Sequence, residues 1–159
     1  QSKSLNIPIS KIALIDFGGS KGNCELYGFR NISLGHINDT AYLAKLYSLA
    51  DCVIVPSMVE SFGQIAAEAL SCSTPVVSFD TSGLKDIVLN GSIGLLAKSF
   101  SVDSLCSKLH TMIEIPKETR VIMGQNGRKH IIKNFSFSVI SEKYLGLLED
   151  AAKLKKIST

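Results

Sequence analysis

The sequence predicts an α/β protein: a Rossmann-like, doubly wound parallel sheet in three α/β/α layers. Three observations carry this. Short apolar runs without polar alternation, at Lys11–Phe17 (KIALIDF), Asp51–Pro56 (DCVIVP) and Pro75–Phe79 (PVVSF), read as strands covered on both faces. Segments of helical spacing alternate with them, the pattern of strand–helix–strand units. Polar or glycine-containing loops follow the strands at Gly18-Gly19, Gly35-His36-Ile37, Pro56–Gln64 and Asp80–Gly83. In such sheets ligands bind beyond the carboxyl ends of the strands, so these four loops are expected to converge on one crevice.

The elements follow in order. Lys11–Phe17 is a buried strand ending in the Gly18-Gly19 turn, and Ile32–Gly35 a short second strand. Asn38 can cap a helix over Asp39–Ala50 whose apolar residues are Tyr42, Leu43, Leu46 and Leu49. Asp51–Pro56 is a strand, Ser61–Cys72 a helix and Pro75–Phe79 a strand. A helix near Gly83–Leu89, the Asn90-Gly91 turn and a last strand at Ile93–Ala97 come next. Helices over Val102–Ile113, Lys117–Asn134 and Phe137–Lys155 complete the chain. With 159 residues, no internal repeat and no linker composition, residues 1–159 read as one domain.

Bulk properties exclude several functions. A net charge of +3 and no aromatic–basic repeat argue against nucleic acid. No apolar run reaches the roughly 18 residues of a membrane span. The start, QSKSLNIPIS, lacks the long apolar stretch of a signal peptide. Lys153, Lys155 and Lys156 read as a solvated helix end, with a membrane-surface contact as the alternative. Cys24, Cys52, Cys72 and Cys106 form no CxxC and are expected to be buried or half-buried thiols of a reducing compartment. His36, His110 and His130 make no metal pair at helical spacing, so no metal site is expected.

The segment Val55–Glu68, VPSMVESFGQIAAE, is the richest in chemistry. It carries Glu60 and Glu68, with Glu60 read as lying just before a helix and Glu68 about two turns inside it. That separates the carboxylates by roughly 10–12 Å along the axis. Free N–H groups of the first turn favour an anion, and flanking carboxylates accept hydroxyls, so a sugar nucleotide fits. Ser61-x-x-Gln64 also fits a capping box, in which case the segment is a well-started helix with Glu60 as dipole partner and Glu68 facing solvent. Gly63 weakens that alternative, because glycine costs helix propensity yet admits a ligand close to the backbone.

The ordered set Glu60, Phe62-Gly63, Glu68, Thr74-Pro75-Val76-Val77, Gly83, Asp86-Ile87-Val88, Gly91, Gly94 and Leu96 resembles the C-terminal, donor-binding domain of the retaining, family-four glycosyltransferases of the GT-B fold. The family pattern is E-x(7)-E with F-G after the first glutamate, then a Pro-Val-Val strand and a G-x-x-[DE]-I-V…G-x-x-G-x-L run. Ser73 departs from it, since the family usually has glycine before the Thr-Pro. The resemblance covers essentially the whole chain.

It implies roles residue by residue. Glu68 matches the glutamate that accepts hydrogen bonds from the nucleotide ribose. Glu60 matches the one that contacts the donor hexose near the reacting centre, and is the catalytic candidate. Backbone N–H groups of Phe62, Gly63 and Gln64 would hold the sugar and diphosphate. The Gly35-His36-Ile37 loop corresponds to the one that meets the base, mostly through Ile37 backbone. Gly18-Gly19 corresponds to a glycine loop lining the diphosphate channel, and reads equally as a plain strand-ending turn. His36 and Lys21 read either as donor contacts or as surface residues.

The expected partners are a UDP-, GDP- or ADP-sugar and a glycan or lipid-linked acceptor, with no metal and no cofactor. The resemblance places the work in bacterial surface polysaccharide or lipopolysaccharide synthesis, in the cytoplasm and at the inner face of the membrane, through a peripheral contact of the full-length protein. A GT-B enzyme needs two such domains. The acceptor half is expected to be missing from this chain, as is the opening strand–helix where the family carries an Arg and a Lys for the diphosphate; Lys3, Lys11 and Lys21 do not sit in that motif. The chain by itself is expected to bind nucleoside diphosphate weakly without turnover. The competing readings are a GT-B epimerase or phosphorylase, and a non-catalytic nucleotide-sugar-binding module.

Overall fold

A computed structural model describes residues 7–157. Lys3, and the side chains of Lys155 and Lys156, lie outside the described residues. Six strands and six α-helices follow a short 3-10 turn at Ile9–Lys11: β1 (Ala13–Asp16), β2 (Gly22–Leu26), β3 (Phe29–Ser33), α1 (Thr40–Leu49), β4 (Val53–Val55), α2 (Gln64–Ser71), β5 (Val76–Phe79), α3 (Leu84–Ile87), β6 (Gly94–Ala97), α4 (Val102–Glu114), α5 (Lys117–Phe135) and α6 (Phe137–Ile157).

The second half carries the three-layer core. Strands β4, β5 and β6 pair in parallel, with Val53 opposite Val76 and Val76 opposite Gly94. All four residues of β5 are buried, as a non-alternating apolar strand requires. Successive side chains point to opposite faces. Val76 accordingly packs with Ala66, Leu70, Leu84 and Ile131, on the side of α2, α3 and α5, while Val77 packs with Leu95, Met112 and Met123, beneath α4 and part of α5.

The first sheet is different. Its order is β1-β3-β2, with β1 parallel and β2 antiparallel to β3. The β2–β3 hairpin turns at Tyr27-Gly28, both at positive φ (51° and 83°), which suits a two-residue turn between right-twisted strands. The sequence does not predict β2, because GNCEL has none of the apolar continuity used to find the other strands. Nor is β1 the buried strand expected of KIALIDF: Ile15 is 52% exposed. Composition marks a strand as apolar but does not say which neighbour covers it.

The helix α1 also corrects the sequence. Its N-cap is Asp39, not Asn38; the Asp39 carboxylate accepts from the Ala41 and Tyr42 N–H groups at 2.9 and 3.2 Å. Its buried residue is Tyr47, at 3% exposure, while Leu49, one of the apolar positions read from the sequence, is 80% exposed. The inward stripe runs through Leu43 and Tyr47, one turn apart. On α6, by contrast, Phe137, Ile140, Tyr144, Leu147 and Leu148 leave a long apolar strip exposed.

Cys24 and Cys106 are exposed, against expectation, whereas Cys52 and Cys72 are half-buried. Burial, and then the Asp51 carboxylate, push the Cys52 thiol up to about 11, with Arg120 opposing. The thiolate is the reactive form. At pH 8, iodoacetamide should therefore label Cys24 and Cys106 while leaving Cys52 intact, as read by mass spectrometry. Because the folded value lies above the ordinary thiol range, the stability Cys52 contributes is complete below that range. It is lost as pH rises through about 11.

Candidate donor site

Helix α2 starts at Gln64, three residues later than the sequence suggests. Its N-cap is Gly63, in the left-handed region at φ 92°, and no side chain caps it. The Ser61–Gln64 capping box does not form; the Gln64 side chain turns forward and donates to Glu68 Oε1 at 3.1 Å. A left-handed residue breaks the helical path, so Glu60–Gly63 is loop and Glu68 lies one turn inside α2 rather than two. Helical rise therefore does not set the Glu60–Glu68 spacing. The consequence for binding is favourable. The first-turn N–H groups have no intrahelical partner and no capping side chain, leaving an open helix start of the kind an anion can occupy.

Gly63 is required here for two reasons. A side chain at φ 92° is strained, and a Cβ would lie 2.8 Å from Leu84 Cδ2. Gly63→Ala should lower stability by about 2 kcal/mol, read from a urea melt.

Backbone bonds fix the loops in pairs. The Gly83 N–H donates to the Glu60 carbonyl at 3.1 Å, and the Thr81 hydroxyl to the Met58 carbonyl at 3.1 Å. The Pro56–Gln64 and Asp80–Gly83 loops are thus joined. The Gly18 N–H donates to the Gly35 carbonyl at 2.9 Å, joining the other two. Between the pairs the link runs through side chains. Phe17, just before Gly18, packs edge-on against Tyr47 with centroids 5.8 Å apart, and the Tyr47 hydroxyl reaches Glu68 Oε2 at 3.0 Å.

The individual candidates differ in setting. Glu60 is half-buried, and its carboxylate takes no hydrogen bond or ion pair among the described residues. Glu68 is also half-buried but held by Tyr47 and Gln64. Phe62 is 44% exposed, with its ring 5.7 Å from that of Phe135 on α5. Gly35 is buried, Ile37 half-buried, and Gly18, Gly19 and His36 are exposed. Lys21 lies against Gly35, with its Cβ 3.2 Å from where a Gly35 Cβ would be.

A groove of about 360 Å³ opens beside Glu68, lined by Thr40, Tyr47, Phe62, Gln64, Glu68 and Phe135 among others. A wider hollow of about 600 Å³ lies on the hairpin around Asn23, Arg30 and Asn31 and holds none of the sequence candidates. Tyr47 and Phe135 line the site unforeseen. The signal for Tyr47 was its position one turn after Leu43, which puts it on the inward face with a hydroxyl to satisfy. Among the described residues no group of three or more His, Cys, Asp or Glu side chains is placed to hold a metal ion.

The domain is a three-layer α/β/α fold with an uncapped helix start between two carboxylates, and sequence comparison defines its class. The family described as group 1 glycosyl transferases matches residues 30–130; the chain belongs to this family, and its fold is that of the C-terminal domain of a GT-B glycosyltransferase. Among its relatives is the D-inositol 3-phosphate glycosyltransferase of Rhodococcus erythropolis, 36% identical over 111 residues, which are 70% of this chain and 24% of that protein. Sucrose-phosphate synthase from Thermosynechococcus elongatus superposes with a TM-score of 0.71 at 30% identity, over 79% of this chain and 31% of that one. The Anabaena protein Alr3699/HepE, solved with UDP-glucose, superposes with a TM-score of 0.66 at 24% identity, over 76% and 32%. The chain thus spans about a quarter of the length of its curated relatives.

Proposed function

We propose that this chain is the donor-binding half of a retaining glycosyltransferase that moves a hexose from a UDP-, GDP- or ADP-sugar to a glycan or lipid-linked acceptor. The single observation that supports it best is the open start of α2, with half-buried Glu60 in the loop before it and Glu68 one turn inside. The UDP-glucose bound by the Anabaena neighbour supports the donor class.

Chemistry follows from charge. Cleaving the donor at the anomeric carbon leaves an oxocarbenium-like sugar and a nucleoside diphosphate. The N–H groups at Phe62, Gly63 and Gln64 face the growing negative charge, and on this reading no metal is needed. Glu60 orients the hexose and favours the positive ring; Glu68 receives the ribose hydroxyls. The Gly18-Gly19 and Gly35-His36-Ile37 loops line the diphosphate and base ends.

The acceptor would be held by a second domain of the full-length protein. The exposed apolar strip on α6 and the open side of β1 support a covering partner of that kind. No helix among the described residues is long and apolar enough to cross a membrane. Work at the cytoplasmic face of the membrane, in surface polysaccharide or lipopolysaccharide synthesis, is part of the same proposal and draws on the family resemblance alone.

The test is a transfer assay of the full-length protein with UDP-, GDP- and ADP-hexoses, with the anomeric proton coupling of the product read by NMR. One donor should be consumed with its anomeric configuration kept. An inverted product would sink the retaining assignment, and no transfer from any donor would sink the enzyme.

A further inference from the structure

We propose that Tyr47 is a positioning residue of the ribose site, its hydroxyl fixing the Glu68 carboxylate in the orientation that receives the two ribose hydroxyls. The inference rests on the donor-site reading above and adds a residue to it.

Both oxygens of Glu68 are held by side chains. Tyr47 donates to Oε2 at 3.0 Å and Gln64 donates to Oε1 at 3.1 Å. An ionised carboxylate has about four acceptor directions. Each oxygen therefore keeps one, and a vicinal diol brings two donors. The groove beside the carboxylate is lined by the same three side chains.

Tyr47 is itself fixed more firmly than a helix residue needs. It is 3% exposed. Its backbone carbonyl accepts from the Thr74 hydroxyl at 2.6 Å, and Thr74 is 2% exposed at the start of β5. Phe17 abuts its ring. Burial first, and then the Glu68 carboxylate, hold the phenol well above its ordinary range, so it remains a donor throughout the working range of pH. A buried hydroxyl needs a partner, and a merely structural tyrosine could use any acceptor. This one is aimed at the carboxylate that the donor reading assigns to the ribose.

The measurement is the preference of the full-length protein for a nucleoside diphosphate over its 2′,3′-dideoxy form, by calorimetry, using whichever of UDP, GDP and ADP binds. Tyr47→Phe keeps the ring packing, and a circular-dichroism melt checks that the fold is kept. It should lower the ribose preference about five- to tenfold, less than the more than about tenfold that outright loss of a charged hydrogen bond to the ribose would cost, because Glu68 itself remains. In a Glu68→Ala background it should change nothing further, because it acts through Glu68. Gln64→Ala, on the exposed first turn, should lower the same preference without touching the core. A preference unchanged within about twofold in Tyr47→Phe, whatever Gln64→Ala does, or equal weakening toward ribo and dideoxy forms, overturns the inference. Wild-type protein that binds none of the three nucleotides overturns the donor site itself, and this inference falls with it.

Discussion

Glu60→Ala in the full-length protein is expected to lower kcat about 10²- to 10³-fold, with nucleoside-diphosphate affinity changed less than about twofold. The asymmetry follows from the setting of Glu60. Its backbone is fixed by the Gly83 N–H, and its carboxylate takes no hydrogen bond or ion pair among the described residues. Truncation therefore leaves no buried protein group unpaired and costs little stability. What is lost is contact with the sugar as charge develops, which acts on the transition state. Glu68→Ala should show the opposite balance. It strands the Tyr47 hydroxyl and the Gln64 amide and weakens nucleotide binding, so its effect enters through KM. Steady-state kinetics with the cognate donor, paired with calorimetry on the nucleotide, separates the two.

The largest expected effect on stability is at Gly124. Helix α5 crosses the end of α2 so closely that a Cβ at Gly124 would lie 1.8 Å from the Ser73 carbonyl oxygen, and one at Gly127 would lie 2.5 Å from Leu70 Cδ2. Arg128 also donates to the Ser71 carbonyl across this contact. Backbone cannot move aside as a flexible side chain can. Gly124→Ala should destabilise by about 3 kcal/mol or more, through separation of α5 from α2. Gly146, on exposed α6, has nothing within 4 Å of the same added atom. There the sign reverses: Gly146→Ala gains helix propensity, up to about 1 kcal/mol. Denaturant melts of the two variants, both glycine to alanine in a long helix, should move in opposite directions.

The sequence reveals the parallel core well because β4, β5 and β6 are short, apolar and covered on both faces. It reveals the first sheet poorly. The strand β2 is polar and exposed, and it is defined by pairing with β3 across a two-residue turn rather than by burial. The site divides in the same way. The pair Glu60 and Glu68, with the glycine between them, is read from the chain because spacing and residue type carry it. Where α2 begins is not, since Ser61-x-x-Gln64 satisfies a local capping rule that the left-handed Gly63 overrides. Tyr47 is missed because its role lies in a partner 21 residues away across two helices. Ser73 shows the reverse: it stands where the family usually has glycine, and it takes the left-handed conformation, at φ 62°, that glycine favours.

The central claim is that the Glu68 side of this domain binds the nucleotide of a sugar donor. It is tested most directly by titrating UDP, GDP and ADP into the full-length protein and into its Glu68→Ala variant by calorimetry. One of the three should bind the wild type, and the variant should bind it at least about tenfold more weakly. Binding of none, or binding that Glu68→Ala leaves unchanged, would contradict it.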